Sequence, residues 1–166
     1  MKIKFAKLEE NAIIPRNRKE DAGFDIYTNI NDVIVIEPHE TVILKTGIAS
    51  VIDDGYFVEL KERGSTGTKG IGQRSGVIDS GYRGEWMIPL TNHNPIPILL
   101  YRNEDSRKSF ETLFENGNFI KYPITKAICQ AIVLPVPDCD IEEITYSELQ
   151  TYKSERGTGK LGSSGK

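Results

Sequence analysis

Along most of this chain apolar and polar positions alternate in short runs, the period of strands with one face buried. Residues 2–8 set Ile3 and Phe5 on one side and lysines on the other, and residues 32–36, 41–46, 48–52 and 56–60 are β-branched or aromatic. Between these runs lie Glu37-Pro38-His39-Glu40, Gly47 and Asp53-Asp54-Gly55, the last a hairpin signal. Residues 85–92, with Trp86, Met87, Ile88 and Leu90, predict a buried strand that Pro95 and Pro97 end; strand character returns over 121–135. Short strands at this spacing predict an antiparallel sandwich or jelly roll. The pattern changes over 101–118, where Asn103-Glu104-Asp105-Ser106 leads into Phe110, Leu113 and Phe114 at helical spacing, with Gly117 placed for a C-terminal cap. That predicts one helix inserted into a β protein. Its apolar face packs on its own domain or presents a surface to a partner.

The chain centres on residues 75–86, SGVIDSGYRGEW. Apolar flanks around a Gly-rich middle predict a tight β-hairpin. Asp79, ending the first strand, and Tyr82, at the tip, then face one small volume, where an acid beside an aromatic ring can hold a sugar next to a general base. Asp, Ser and Gly also occupy such turns for backbone reasons alone.

Composition narrows the options. A length of 166 residues fits one domain with one core. The formal charge of -3, from 24 acidic and 21 basic residues, creates no field that would gather nucleic acid or an anionic membrane. Any phosphate must therefore be met by locally placed groups. Residues 61–70, KERGSTGTKG, offer cations, hydroxyls and glycines, which suit either a phosphate cradle or a flexible loop. They are not a Walker A loop, because Lys69 is followed by Gly70 and strand-like sequence. Cys129 and Cys139 are too few for a disulfide framework, and no stretch resembles a signal or a membrane span, so a reduced, cytoplasmic protein is expected. His39 and His93 lack neighbours at zinc-ligand spacing. Gln130, within a strand, needs partners as a network member or a ligand contact. The tail, 154–166, is rich in Gly and Ser and is expected to be mobile until it binds something; it reads as a plain terminus, as added linker, or as a wrap for polyphosphate through Arg156 and Lys160.

Five stretches in one order resemble the motifs of the trimeric dUTP pyrophosphatases (dUTPases). Residues 21–26 resemble A-G-x-D-[LI], 63–66 resemble R-S-x-[LT], and 76–84 match G-V-I-D-x-x-Y-x-G throughout. Residues 125–130 resemble G-[DE]-R-I-A-Q, and 156–165 resemble R-G-x-G-G-F-G-S-T-G. The resemblance implies a jelly-roll-like antiparallel β domain, a β-clip, over 1–153, with an insertion at about 93–123 and a closing tail at 154–166. It also implies a homotrimer whose sites draw on three subunits, and hydrolysis of dUTP to dUMP and pyrophosphate with Mg²⁺ held by the phosphates and water. By position, Asp79 would polarise the attacking water. Tyr82 would pack on deoxyribose, and Gly76, Val77, Ile78 and Met87 would line the uracil site. Arg63, Gly64, Ser65 and Gln130 would meet phosphates, joined by Arg156, Leu161, Gly162 and Ser163 from the tail. Asp25 would face the metal's water shell or the trimer.

The departures are Gly64 for a Ser, Lys126-Ala127 for an acid and Arg, and Lys160-Leu161 for Gly and Phe. Leu161 can cover a base but cannot stack on it, which predicts weaker tail closure. Extra sequence before the fourth motif is a feature of some phage-encoded members, so a phage or prophage origin is expected. The inserted segment, 101–118, gives a second, non-enzymatic expectation: a nucleotide-sensing protein that binds a regulatory partner there. A dCTP deaminase shares the fold but lacks support in residues 63–66 and at Asp79.

Overall fold

In the computed structural model, which describes residues 1–74, 76–113 and 117–159, the alternating runs become short strands. They are β1 (Ile3–Lys7), β2 (Phe24–Ile26), β3 (Val33–Ile36), β4 (Thr41–Lys45), β5 (Ile48–Ile52) and β6 (Tyr56–Lys61). After a single helical turn, α1 (Gly64–Gly67), come β7 (Ile71–Gln73), β8 (Val77–Asp79), β9 (Met87–Asn92) and β10 (Ile98–Tyr101). Helix α2 (Glu104–Leu113) precedes β11 (Ile120–Pro123) and β12 (Cys129–Pro135), and α3 (Tyr146–Leu149) follows.

The strands pair in the orders β1-β5, β11-β10-β3, β2-β12-β6-β8 and β4-β9-β7. This is the mainly antiparallel β architecture that the alternation predicts. Their inward residues, among them Ile26, Ile36, Val58, Ile88, Leu90 and Leu100, form one core with Trp86. The buried indole N–H donates to Ser50 Oγ at 3.1 Å, so the ring's polar atom is satisfied, and Phe5 packs edge-on at 5.3 Å. Two compact units are present, Met1–Val136 and Pro137–Lys166, and the core lies in the first. In the second, the Thr145 side chain caps α3 by accepting from Glu148 N–H at 3.2 Å. Both cysteines are free, Cys129 buried and Cys139 exposed. Among the described residues no helix is long and apolar enough to cross a membrane.

The run 121–135 is broken at 124–128 into β11 and β12, which join different sheets. The short helices α1 and α3 stand beside the one helix expected, and two further differences bear on the site. Residues 76–86 do not join a hairpin of mutually paired strands: β8 pairs with β6, Phe57 facing Asp79, while β9 pairs with β4 and β7. The intervening turn has hairpin composition, but Ile88 and Leu90 are fully buried only between β4 and β7, and that burial decides the pairing. Trp86 precedes the strand, which begins at Met87.

The second difference is the insertion. β10 and β11 are parallel, Ile98 facing Ile120, and parallel strands need a crossover connection. Helix α2 lies within that connection, so the insertion is a β-α-β unit whose strand β10 is buried throughout and pairs with β3. No residue of α2 is fully buried. The helix is held to its own unit by Phe110 edge-on to Phe119 at 5.7 Å and by the Lys121–Glu111 ion pair. Leu113 is exposed, and Phe114 lies outside the described residues.

Candidate active site

The edge of β8 forms the first part of the site. Leu60 N–H donates to Gly76 carbonyl at 2.7 Å, which makes 60/76 a hydrogen-bonded pair of the antiparallel ladder. Two residues on, 58/78 is bonded in turn, so the backbone groups of Val77 and Asp79 point away from β6. The side chains of Val77 and Asp79 share the outward face, while Ile78 is buried. Gly76 makes this approach possible. Its φ is +149°, and a Cβ there would lie 2.9 Å from the Leu60 carbonyl.

A cleft of about 470 Å³ opens on this edge, lined by Gly76, Val77, Ile78, Asp79, Tyr82, Glu85 and Met87. Val77, Tyr82 and Met87 are 64%, 43% and 38% exposed and give the cleft apolar surface beside its two carboxylates, Asp79 and Glu85. Tyr82 is placed by its neighbours: its N–H donates to Asp79 carbonyl at 3.1 Å and its hydroxyl to Glu85 carbonyl at 2.9 Å. The ring lies over Gly84, where a Cβ would come within 2.4 Å of the phenol oxygen. Glu85 in turn anchors the turn, its Oε1 accepting from Gly47 N–H at 2.7 Å, and Trp86 N–H donates to Ile48 carbonyl at 2.9 Å. No sequence signal marked Glu85, because its partner lies in the distant β4–β5 turn.

A second cleft, of about 530 Å³, is lined by Arg18, Glu20, Asp21, Ala22, Gly23, Asp25, Arg63, Gly64, Ser65 and Gln130. Sheet register builds it: Gln130 on β12 faces Asp25 on β2 and, on its other side, Lys61 at the end of β6. Arg63, just before α1, forms an ion pair with Asp25 at 3.0 Å and donates through Nη1 to Ala127 carbonyl at 3.0 Å and to Ser65 Oγ at 3.2 Å. Gln130 Nε2 donates to Glu62 carbonyl at 2.8 Å. At the rim, the Arg18 guanidinium donates to Asp21 at 2.9 and 3.0 Å and its backbone N–H at 3.1 Å, and these bonds hold that carboxyl below its ordinary pKa. Behind Gln130, burial pushes the Cys129 thiol up to about 12, so it is not a nucleophile.

The structure therefore brings the sequence-marked residues together in two groups. Gly76, Val77, Ile78, Asp79, Tyr82 and Met87 line one cleft, and Asp25, Arg63, Gly64, Ser65 and Gln130 line the other. Arg156 is exposed in the second unit, where its N–H and that of Gly157 donate to Ser154 Oγ at 3.3 and 3.1 Å. Leu161, Gly162 and Ser163 lie outside the described residues. Among the described residues no group of three or more His, Cys, Asp or Glu side chains could hold a metal ion.

The mainly β fold thus carries an open strand edge beside a carboxylate and a separate cleft of guanidinium, hydroxyl and amide groups, and comparison with known proteins gives its class. The dUTPase family model matches residues 9–104, and the chain belongs to that family. It is 38% identical to a deoxyuridine 5′-triphosphate nucleotidohydrolase of Nautilia profundicola over the full length of both chains. It is 34% identical to one of Clostridioides difficile, covering 98% of this chain and 97% of that one. Among solved structures, the dUTPase of Staphylococcus bacteriophage 80alpha with dUPNHPP is similar at a TM-score of 0.72, with 28% identity and 99% of each chain covered.

Proposed function

We propose that this protein hydrolyses dUTP to dUMP and pyrophosphate, removing dUTP and supplying dUMP. The observation that carries this is the β8 edge, where outward backbone groups of Val77 and Asp79 stand beside the Asp79 carboxylate and the Tyr82 ring. Uracil presents an N–H between two carbonyls, a pattern that an open strand edge can pair with and that cytosine reverses at N3 and at its 4-amino group. Tyr82, braced on Glu85 carbonyl and lying over Gly84, forms a wall for a deoxyribose that leaves no room for a 2′-hydroxyl.

In the reaction, water oxygen bonds to the α-phosphorus as the bond to the α,β-bridging oxygen breaks. Asp79 takes the water's proton, and pyrophosphate leaves. Such displacements depend on positioning and charge neutralisation. Arg63, Ser65 and Gln130 meet phosphate oxygens, Arg63 donating also to Ser65 Oγ; Arg156, Leu161, Gly162 and Ser163 are assigned to the substrate by the family resemblance alone. Mg²⁺ supplies further neutralisation when bound. The donor set fits an ion carried by the substrate: Mg²⁺ keeps several waters and takes few protein ligands, and the second cleft offers carboxylates without a cage. Asp25, paired with Arg63, would face that water shell.

We also propose a homotrimer, as the family resemblance implies; the register bears on whether one copy can build a site alone. Asp79 sits opposite Phe57 and Gln130 opposite Lys61, on opposite edges of β6 and four residues apart along it. Strand geometry puts their Cα atoms about 17 Å apart, with β6 between them. A site that uses both takes one cleft from each of two copies. The test is product analysis with dUTP, dCTP, dTTP and UTP in Mg²⁺, alongside Asp79→Asn. Pyrophosphate and dUMP from dUTP alone, lost in the variant, are expected; turnover that survives in Asp79→Asn would refute the assignment.

A further inference from the structure

We propose that Tyr122, delivered by the inserted β10–α2–β11 unit, is a positioning residue for the second cleft and sets the pose of Arg63 and Ser65 without touching substrate. Its effect on turnover rests on the reading of that cleft as the phosphate site. The fourth motif departs from the family pattern at Lys126-Ala127, and there the main chain supplies the anchor. Ala127 carbonyl accepts from Arg63 Nη1 at 3.0 Å and from the Tyr122 hydroxyl at 2.6 Å. A carbonyl oxygen has two lone pairs, and these two donors fill both. Because the same Nη1 also donates to Ser65 Oγ at 3.2 Å, phenol, guanidinium and hydroxyl form one chain of contacts that ends in the cleft.

Tyr122 is 2% exposed, so its hydroxyl has no water to replace that carbonyl. Burial raises its pKa, with Arg63 pulling the other way, and the phenol stays a donor at neutral pH. Its place is fixed from both sides. Lys69 Nζ stands 5.7 Å from the ring centroid, and β11 sets Tyr122 opposite the buried Leu100 of β10. The insertion therefore ends, structurally, on the carbonyl that holds Arg63.

Tyr122→Phe keeps the ring and removes the hydroxyl. The readouts on the full chain are KM and kcat for dUTP, inhibition by inorganic pyrophosphate and by deoxyuridine, and the Arg63 Nε–Hε resonance in nitrogen-15 spectra. Loss of one buried hydrogen bond should raise KM about tenfold, weaken pyrophosphate inhibition in parallel, and leave kcat within about twofold. Deoxyuridine inhibition should be unchanged, the Arg63 resonance should move, and Asp105→Ala on the exposed side of α2 should change nothing. An unmoved resonance with unchanged KM overturns the proposal, as does equal weakening of deoxyuridine and pyrophosphate, which would mark general loosening. If the wild-type chain does not turn over dUTP, the functional reading fails, and the Arg63 resonance alone decides whether Tyr122 positions it.

Discussion

Around Asp79 the backbone groups of Val77 point outward from an open strand edge, whereas around Gln130 the polar side chains are tied to one another. Arg63 binds Asp25, Ala127 carbonyl and Ser65, and Gln130 binds Glu62 carbonyl. The contrast shows two ways of preparing for a ligand. On the proposed reading, the first cleft would use its donors and acceptors for a flat molecule of matching pattern, and its selectivity would lie in what it pairs with. The second has its groups already held by one another, so on the proposed reading its contribution would lie in geometry. A substitution in the first should remove chemistry or specificity; one in the second should loosen a network.

The sharpest break is Asp79→Asn, which keeps the shape and removes the base. It should lower kcat about a thousandfold while a non-hydrolysable dUTP analogue still binds, measured by calorimetry beside steady-state kinetics. Arg63→Lys should act on the other cleft: a lysine keeps the charge but cannot reach Asp25, Ala127 and Ser65 together, and KM should rise about tenfold. Gly84→Ala should be smaller. Its Cβ meets only the far end of Tyr82, so the ring moves and the backbone does not, raising KM for dUTP roughly fivefold and narrowing the preference over UTP with little change in melting temperature. Leu161→Phe should lower KM a few-fold by adding a stacking surface.

The smallest effects concern titration. The folded chain holds the Cys129 proton to about 12, above an unfolded thiol, so this contribution is intact below the ordinary thiol pKa and is lost as pH rises from there to about 12. A thiol reagent should modify Cys139 at once and Cys129 only as the chain opens. Asp21 runs the opposite way. Its carboxyl is lowered by Arg18, so its contribution is present above the ordinary carboxylate pKa and fades as pH falls through the folded value. Acid and alkaline unfolding curves would show the two signs.

Strand positions were readable because alternation is local, and the third motif was readable because turn, acid and ring fall within nine residues, 76–84. Pairing was not. Glycine around residues 80–84 satisfies a hairpin rule, yet the partner of β8 is β6, chosen by the burial of Ile78 and by the closeness that Gly76 permits. The parallel β10–β11 pair was hidden for a similar reason: four-residue apolar runs carry no sign of direction. Arg63 stood out as a cation, but its engagement with Asp25 and Ala127 joins positions far apart in sequence. Tyr122 carried no signal at all, since a Tyr in a short strand looks like any core ring.

Gly76 has one more consequence. An exposed Val beside an open strand edge is the kind of surface on which chains add to one another and aggregate. Here β8 is three residues long, bounded by a left-handed glycine before it and a turn after it. A second strand finds too few groups in register to hold, while a heterocycle the size of one base needs no more than these. The brevity of the strand thus protects the fold from self-association through the same groups that, on the proposed reading, pair with a nucleotide.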